Sequence, residues 1–101
     1  MNVGEYGLTH NVNVNYDISG NTSLTLVYTL PNGTTFVATG SDVALGASAL
    51  TTPNGVFPAN QYCRYVFKSG DLSVAGNYTA RLIYTDSSKR LISDRVSFSV
   101  S

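Results

Sequence analysis

The chain has 101 residues, 12% of them charged, and its six basic and six acidic side chains balance to zero net charge. A length of this order predicts one domain over residues 1–101, burying roughly two-thirds of its unfolded surface. The balanced charge gives no electrostatic footprint for nucleic acid, and no apolar run approaches the roughly 20 residues that cross a bilayer. Polarity comes from Ser, Thr and Asn instead. Such a surface offers little charge repulsion against self-association, so the expectation is a protein that lives inside an assembly.

Cys63 is the single cysteine, which excludes an intramolecular disulfide. Met1 is followed by Asn2-Val3-Gly4, not by a basic region and an apolar core. Together these predict folding in a reducing cytosol without an export signal. The Asn-x-Ser/Thr sequences at Asn21, Asn32 and Asn77 then read as by-products of an Asn/Thr-rich composition.

From Leu8 to Ile18 the chain alternates. Leu8, Val12, Val14, Tyr16 and Ile18 share one parity and Thr9, Asn11, Asn13, Asn15 and Asp17 the other, which predicts a long first strand. His10 falls on the apolar parity and reads as a boundary residue with one ring nitrogen in water. Asp17 to Asn21 spaces oxygen ligands faintly like a calcium loop but lacks the further acids, and reads as an Asx-type turn. Leu24, Leu26, Tyr28 and Leu30 form the inward set of a second strand. Pro31-Asn32-Gly33 then signals a hairpin, because Asn and Gly tolerate positive φ, and Phe36 and Ala38 face inward on the return.

Residues 40–60 are rich in Gly and Pro, which argues against a long element. Val43 to Leu45 reads as a short strand, Ala47 to Leu50 as a helical turn or edge segment, and Pro53 to Gly55 as a second turn. Val56 and Phe57 either plug the end of the core or make contacts outside it. Gln61 to Phe67 alternates again, with Cys63, Tyr65 and Phe67 inward and Tyr62, Arg64 and Val66 outward.

The stretch Asp71 to Tyr84, DLSVAGNYTARLIY, organises the rest. Gly76 breaks the backbone, and Tyr78, Ala80, Leu82 and Tyr84 follow with a period of two, while Leu72 precedes Tyr78 across a turn. This resembles the corner that opens the sixth strand of immunoglobulin-like sandwiches, where a Tyr hydroxyl bonds back to upstream backbone. After a polar turn at Asp86, Ser87 and Ser88, the last strand runs to Val100. Ile92, Val96, Phe98 and Val100 are expected inward, Ser93, Arg95, Ser97 and Ser99 outward, and Asp94 at a sheet edge or locally paired. The fold class expected is all-β: an immunoglobulin-like sandwich of about seven antiparallel strands.

Chemistry finds no support in this pattern. Nucleophilic catalysis needs a nucleophile, a base and an orienting group, and the single His10 and single Cys63 both read as packed strand residues. The carboxylates fall almost entirely at turns, and no Gly-rich loop leads into a Lys and a helix. No catalytic residue, metal or cofactor is expected. Binding remains. Arg81, Ile83, Leu91 and Arg95 are expected to share one exposed sheet face, and the row Tyr62, Arg64, Val66 is a second interface candidate. The alternative, a carbohydrate- or cell-surface-binding module, calls for exposed aromatics beside polar groups. There is no Trp, and most Tyr and Phe residues have inward parity.

Several of these segments also resemble a known family. They are the opening alternation ending in Asp17-Ile18-Ser19-Gly20, Leu30-Pro31-Asn32-Gly33-Thr34, the Tyr65-to-Gly76 crossing, and Leu91-Ile92-Ser93-Asp94 to Val100. They look like small tailed-bacteriophage virion proteins, and are similar to the immunoglobulin-like N-terminal module of phage baseplate upper proteins. The resemblance covers most of the chain. It implies a non-enzymatic structural protein of the virion, assembled in the bacterial host cytoplasm. Other virion subunits would be its partners in a symmetric assembly, self-association included. Because the sequence stops with its last strand, a stand-alone head decoration or adaptor protein is expected alongside a tail or baseplate role.

Overall fold

The computed structural model describes residues 1–53 and 55–101. Its strands in chain order are β1 (Thr9–Asn13), β2 (Ser23–Thr29), β3 (Thr35–Ala38), β4 (Val43–Leu45), β5 (Leu50–Thr52), β6 (Gly55–Phe57), β7 (Tyr62–Val66), β8 (Gly76–Thr85), β9 (Arg90–Ile92) and β10 (Val96–Val100). One sheet has the order β1-β7-β4. The other has β10-β8-β2-β3, with β9 also on β8, and every ladder is antiparallel. In immunoglobulin lettering these are B-E-D and G-F-C-C′, so the expected sandwich is the fold observed. The N-terminal segment adds a short parallel contact: Val3 N–H donates to the Ser101 carbonyl at 2.9 Å, and Ser101 N–H to that of Met1 at 2.8 Å.

The corner forms as the sequence suggested. The Tyr78 hydroxyl donates to the Val74 carbonyl at 2.7 Å and accepts from the Val74 N–H at 3.2 Å. Gly76 sits at φ 133°, where a Cβ would lie 2.6 Å from Pro31, so both backbone and space require glycine. Tyr78, Ala80, Leu82 and Tyr84 are all buried. In the first hairpin only Gly33 takes positive φ, while the Asn32 carboxamide accepts from Thr34 N–H instead. Asp17 closes the expected Asx turn, accepting from Ser19 N–H at 2.8 Å. Asn54, within the expected Pro53–Gly55 turn, lies outside the described residues; the flanking β5 and β6 pair antiparallel.

Three expectations change. The first strand ends at Asn13, because Asn15 adopts a left-handed φ of 64°; Val14 and Ile18 still reach the Gln61 and Asn60 carbonyls. His10 is no boundary residue. It is 8% exposed, bonds Tyr28 Oη through Nδ1 at 2.9 Å and stacks on Phe67, with Phe98 on another side. Burial pulls its pKa down to about 4, so it stands neutral in the core at pH 7.

The third change is in the last strand. Ile83 pairs Ile92, yet Ala80 pairs Val96, so one extra residue is accommodated between the two ladders. This is a β-bulge over Ser93–Arg95. Ser93 N–H donates to the Leu82 carbonyl, and its hydroxyl accepts from Leu82 N–H at 2.8 Å, standing in for the missing backbone partner. The extra residue reverses the facing of β9. Leu91 packs against the core, whereas Ile92, expected inward, is 50% exposed.

Tyrosine hydroxyls pin the strands to the loops. Besides Tyr28 and Tyr78, Tyr65 donates to Asp71, Tyr84 to Asp86 at 2.6 Å and Tyr62 to the Ser48 carbonyl at 2.7 Å. Asp86 also accepts from the backbone N–H groups of Ser88 and Lys89. These bonds, the Tyr84 hydroxyl first, hold its carboxyl well below the usual range.

Candidate interaction surfaces

The outer face of the five-stranded sheet follows from the registers. β2 lies between β3 and β8, so the outward residues form rows across the strands. Val37, Val27 and Arg81 are directly opposite one another in one row, and Thr25, Ile83 and Ile92 in the next. Val37 is 55% exposed, and Val27, Arg81 and Ile83 are partly exposed. A row of Thr35, Thr29, Thr79 and Ser97 borders them. The result is an aliphatic band with one guanidinium within it and hydroxyls at its margin.

Of the expected group, Arg81 and Ile83 share this face. Leu91 does not, because the bulge turns it inward. Arg95 is exposed but lies in the bulge, outside both β8 ladders, where it lines a cleft at the sheet edges. Val27, Val37 and Ile92 were missed. The outward parity of Val27 and Val37 could have nominated them, but only strand order places them beside Arg81.

The second group also divides. Arg64 and Val66 are exposed, Val66 by 49%, on the outer face of the three-stranded sheet. Tyr62 has the expected outward parity and is nevertheless only 4% exposed. The segment after β4 folds back over its ring. Gly46 N–H donates to the Tyr62 carbonyl, a Cβ on Gly46 would lie 2.1 Å from the ring, and Phe57 packs 5.8 Å away between centroids. Phe57 therefore closes a small second cluster outside the main core, while Val56 beside it is 58% exposed.

His10 and Cys63 both sit inside the sandwich. Cys63 is fully buried, and burial pushes its thiol up to about 12. His10 faces Tyr28, Phe67 and Phe98. A thiol held protonated is a poor nucleophile, and packing accounts for both residues.

A separate cleft of about 470 Å³ opens between residues 13–16 and 92–96. Tyr16 lines it, and the Tyr16 hydroxyl is buried without a hydrogen-bond partner. Comparisons with protein-family models, with curated proteins and with solved structures find no match to this chain.

Proposed function

We propose that this protein is a non-enzymatic structural subunit acting through protein–protein contacts on the outer face of its five-stranded sheet, and that its setting is a tailed-bacteriophage virion. The observation that carries the proposal is the exposed band of Val27, Val37, Ile83 and Ile92 around Arg81. Interface cores are more apolar than the surrounding surface, favour Arg and are depleted in Lys and Glu, and this band is apolar around one Arg with a hydroxyl rim. A β-sheet face is flat, so it suits another sheet or a second copy stacked upon it at about 10 Å. The neutral surface supports a life within an assembly, where symmetry-related contacts replace charge repulsion in keeping subunits in place.

The resemblance of the turn and strand motifs to virion proteins supports the phage setting. Mass spectrometry of purified particles from the phage encoding the chain tests it. The chain is expected at stoichiometric levels, and its absence from the particles would sink the proposal. Ile92→Glu tests the face, because its exposed side chain allows folding while a carboxylate there disrupts an apolar contact. Incorporation of that variant at the normal level would move the interface elsewhere.

A further inference from the structure

The cleft at the sheet edges meets the aliphatic band only at Ile92 and otherwise has a different chemical character. On one wall, Asn13 and Asn15 hold each other. Asn13 Nδ2 donates to Asn15 Oδ1 at 3.1 Å, and Asn15 N–H donates to Asn13 Oδ1 at 3.3 Å. That leaves the Asn15 amide N–H groups and the second N–H of Asn13 unassigned but fixed in direction. On the other wall the bulge presents Asp94 and Arg95, both exposed. Among the described residues, neither side chain enters an ion pair. Ser93 has its hydroxyl committed to Leu82 and to the Asp94 carbonyl. Tyr16 contributes a half-buried ring, while its hydroxyl is itself buried.

Those groups select a ligand class. One carboxylate and one guanidinium cancel locally, which removes the advantage of a simple anion or cation. Amide, carboxylate and guanidinium together offer donors and acceptors in alternation, the complement of vicinal hydroxyl groups that each donate and accept. An added peptide strand is disfavoured here, since the left-handed Asn15 stops β1 and the bulge bends the other edge. The volume lies within the roughly 300–1,000 Å³ of small-molecule sites.

We propose that this cleft is a saccharide-binding site, which takes a neutral mono- or disaccharide unit between the Asn13–Asn15 amides and the Asp94–Arg95 pair, against Tyr16. The inference does not rest on the aliphatic face, with which the cleft shares only Ile92.

Titration of the ¹⁵N-labelled protein with glucose, galactose, N-acetylglucosamine, lactose and chitobiose, followed by amide chemical shifts, is the test. At least one sugar is expected to give saturable shifts at Asn13, Asn15 and 93–96, with a dissociation constant of about 1 mM or tighter. Asn15→Gly, which suits the left-handed backbone, and Asp94→Ala, at an exposed site, should each weaken binding by about tenfold. Arg81→Glu, on the other surface, should leave it unchanged. No saturable shift with any of the five sugars would overturn the proposal. So would shifts centred elsewhere, equal shifts with sodium acetate, or undiminished binding in both cleft variants.

Discussion

Lowering the pH should unfold this sandwich in a window set by one residue. His10 is buried against Tyr28, Phe67 and Phe98, and no charged side chain is among these partners. Its pKa falls from 6.5 to about 4 because the core disfavours the imidazolium. Below pH 6.5 the unfolded chain takes up a proton that the folded chain refuses. Stability from this group is therefore complete above 6.5, declines as the pH falls towards about 4, and has no further dependence below that. A displacement of this size corresponds to roughly 3 kcal/mol, a large fraction of a small domain's total. Urea denaturation from neutral pH down to about 4 reads the slope directly. His10→Gln supplies the control, since its amide can face the Tyr28 hydroxyl without titrating. Wild type should lose roughly 3 kcal/mol across the window and the variant less than about 1. Equal losses in both proteins would refute the reasoning and assign the slope to carboxylates.

Other perturbations separate the remaining contacts. Gly46→Ala places a methyl group 2.1 Å from the Tyr62 ring, whose hydroxyl is anchored to Ser48, and should destabilise by about 2–3 kcal/mol in denaturant titration. Tyr78→Phe removes both bonds to Val74 and should cost about 1–2 kcal/mol, read as a lower thermal midpoint. Ser93→Ala leaves Leu82 N–H without its acceptor, with an expected loss of about 1–3 kcal/mol and faster hydrogen exchange at the Leu82 amide. At high pH the buried phenols oppose ionisation. Desolvation raises Tyr28 and Tyr65, so their contribution holds below about 10 and is lost as the pH climbs beyond it. Tyrosinate absorbance should show Tyr28 and Tyr65 ionising only as the fold gives way.

Much of the fold could be read from the sequence because strand alternation is local. Tyr78, Ala80, Leu82 and Tyr84 need only the period of two and Gly76 to declare their side of the sheet. Apart from the left-handed Asn15 that ends the first strand, the departures arise from distant partners. Parity correctly turns Tyr62 away from the main core, but only the chain returning through Gly46, Ser48 and Phe57 covers it. His10 shares the apolar parity, and its depth depends on Phe98, which comes from the far end of the chain. For Leu91 and Ile92, a bulge inverts the phase, and its sequence signal, Ser93-Asp94-Arg95, resembles continued alternation. The candidate face was half legible for the same reason: outward residues can be named from the sequence, but their neighbours across β2, β3 and β8 cannot.

The bulge separates the facing of β9 from the sequence parity of β10. Three residues, 93–95, stand opposite Arg81 and Leu82, so one residue deleted there would let both ladders run on in a single register, with Ile92 still outside opposite Ile83 and Leu91 still inside opposite Tyr84. The shortened chain would alternate without a break from Leu91 to Val100, and its sequence would declare the facings that the longer chain conceals.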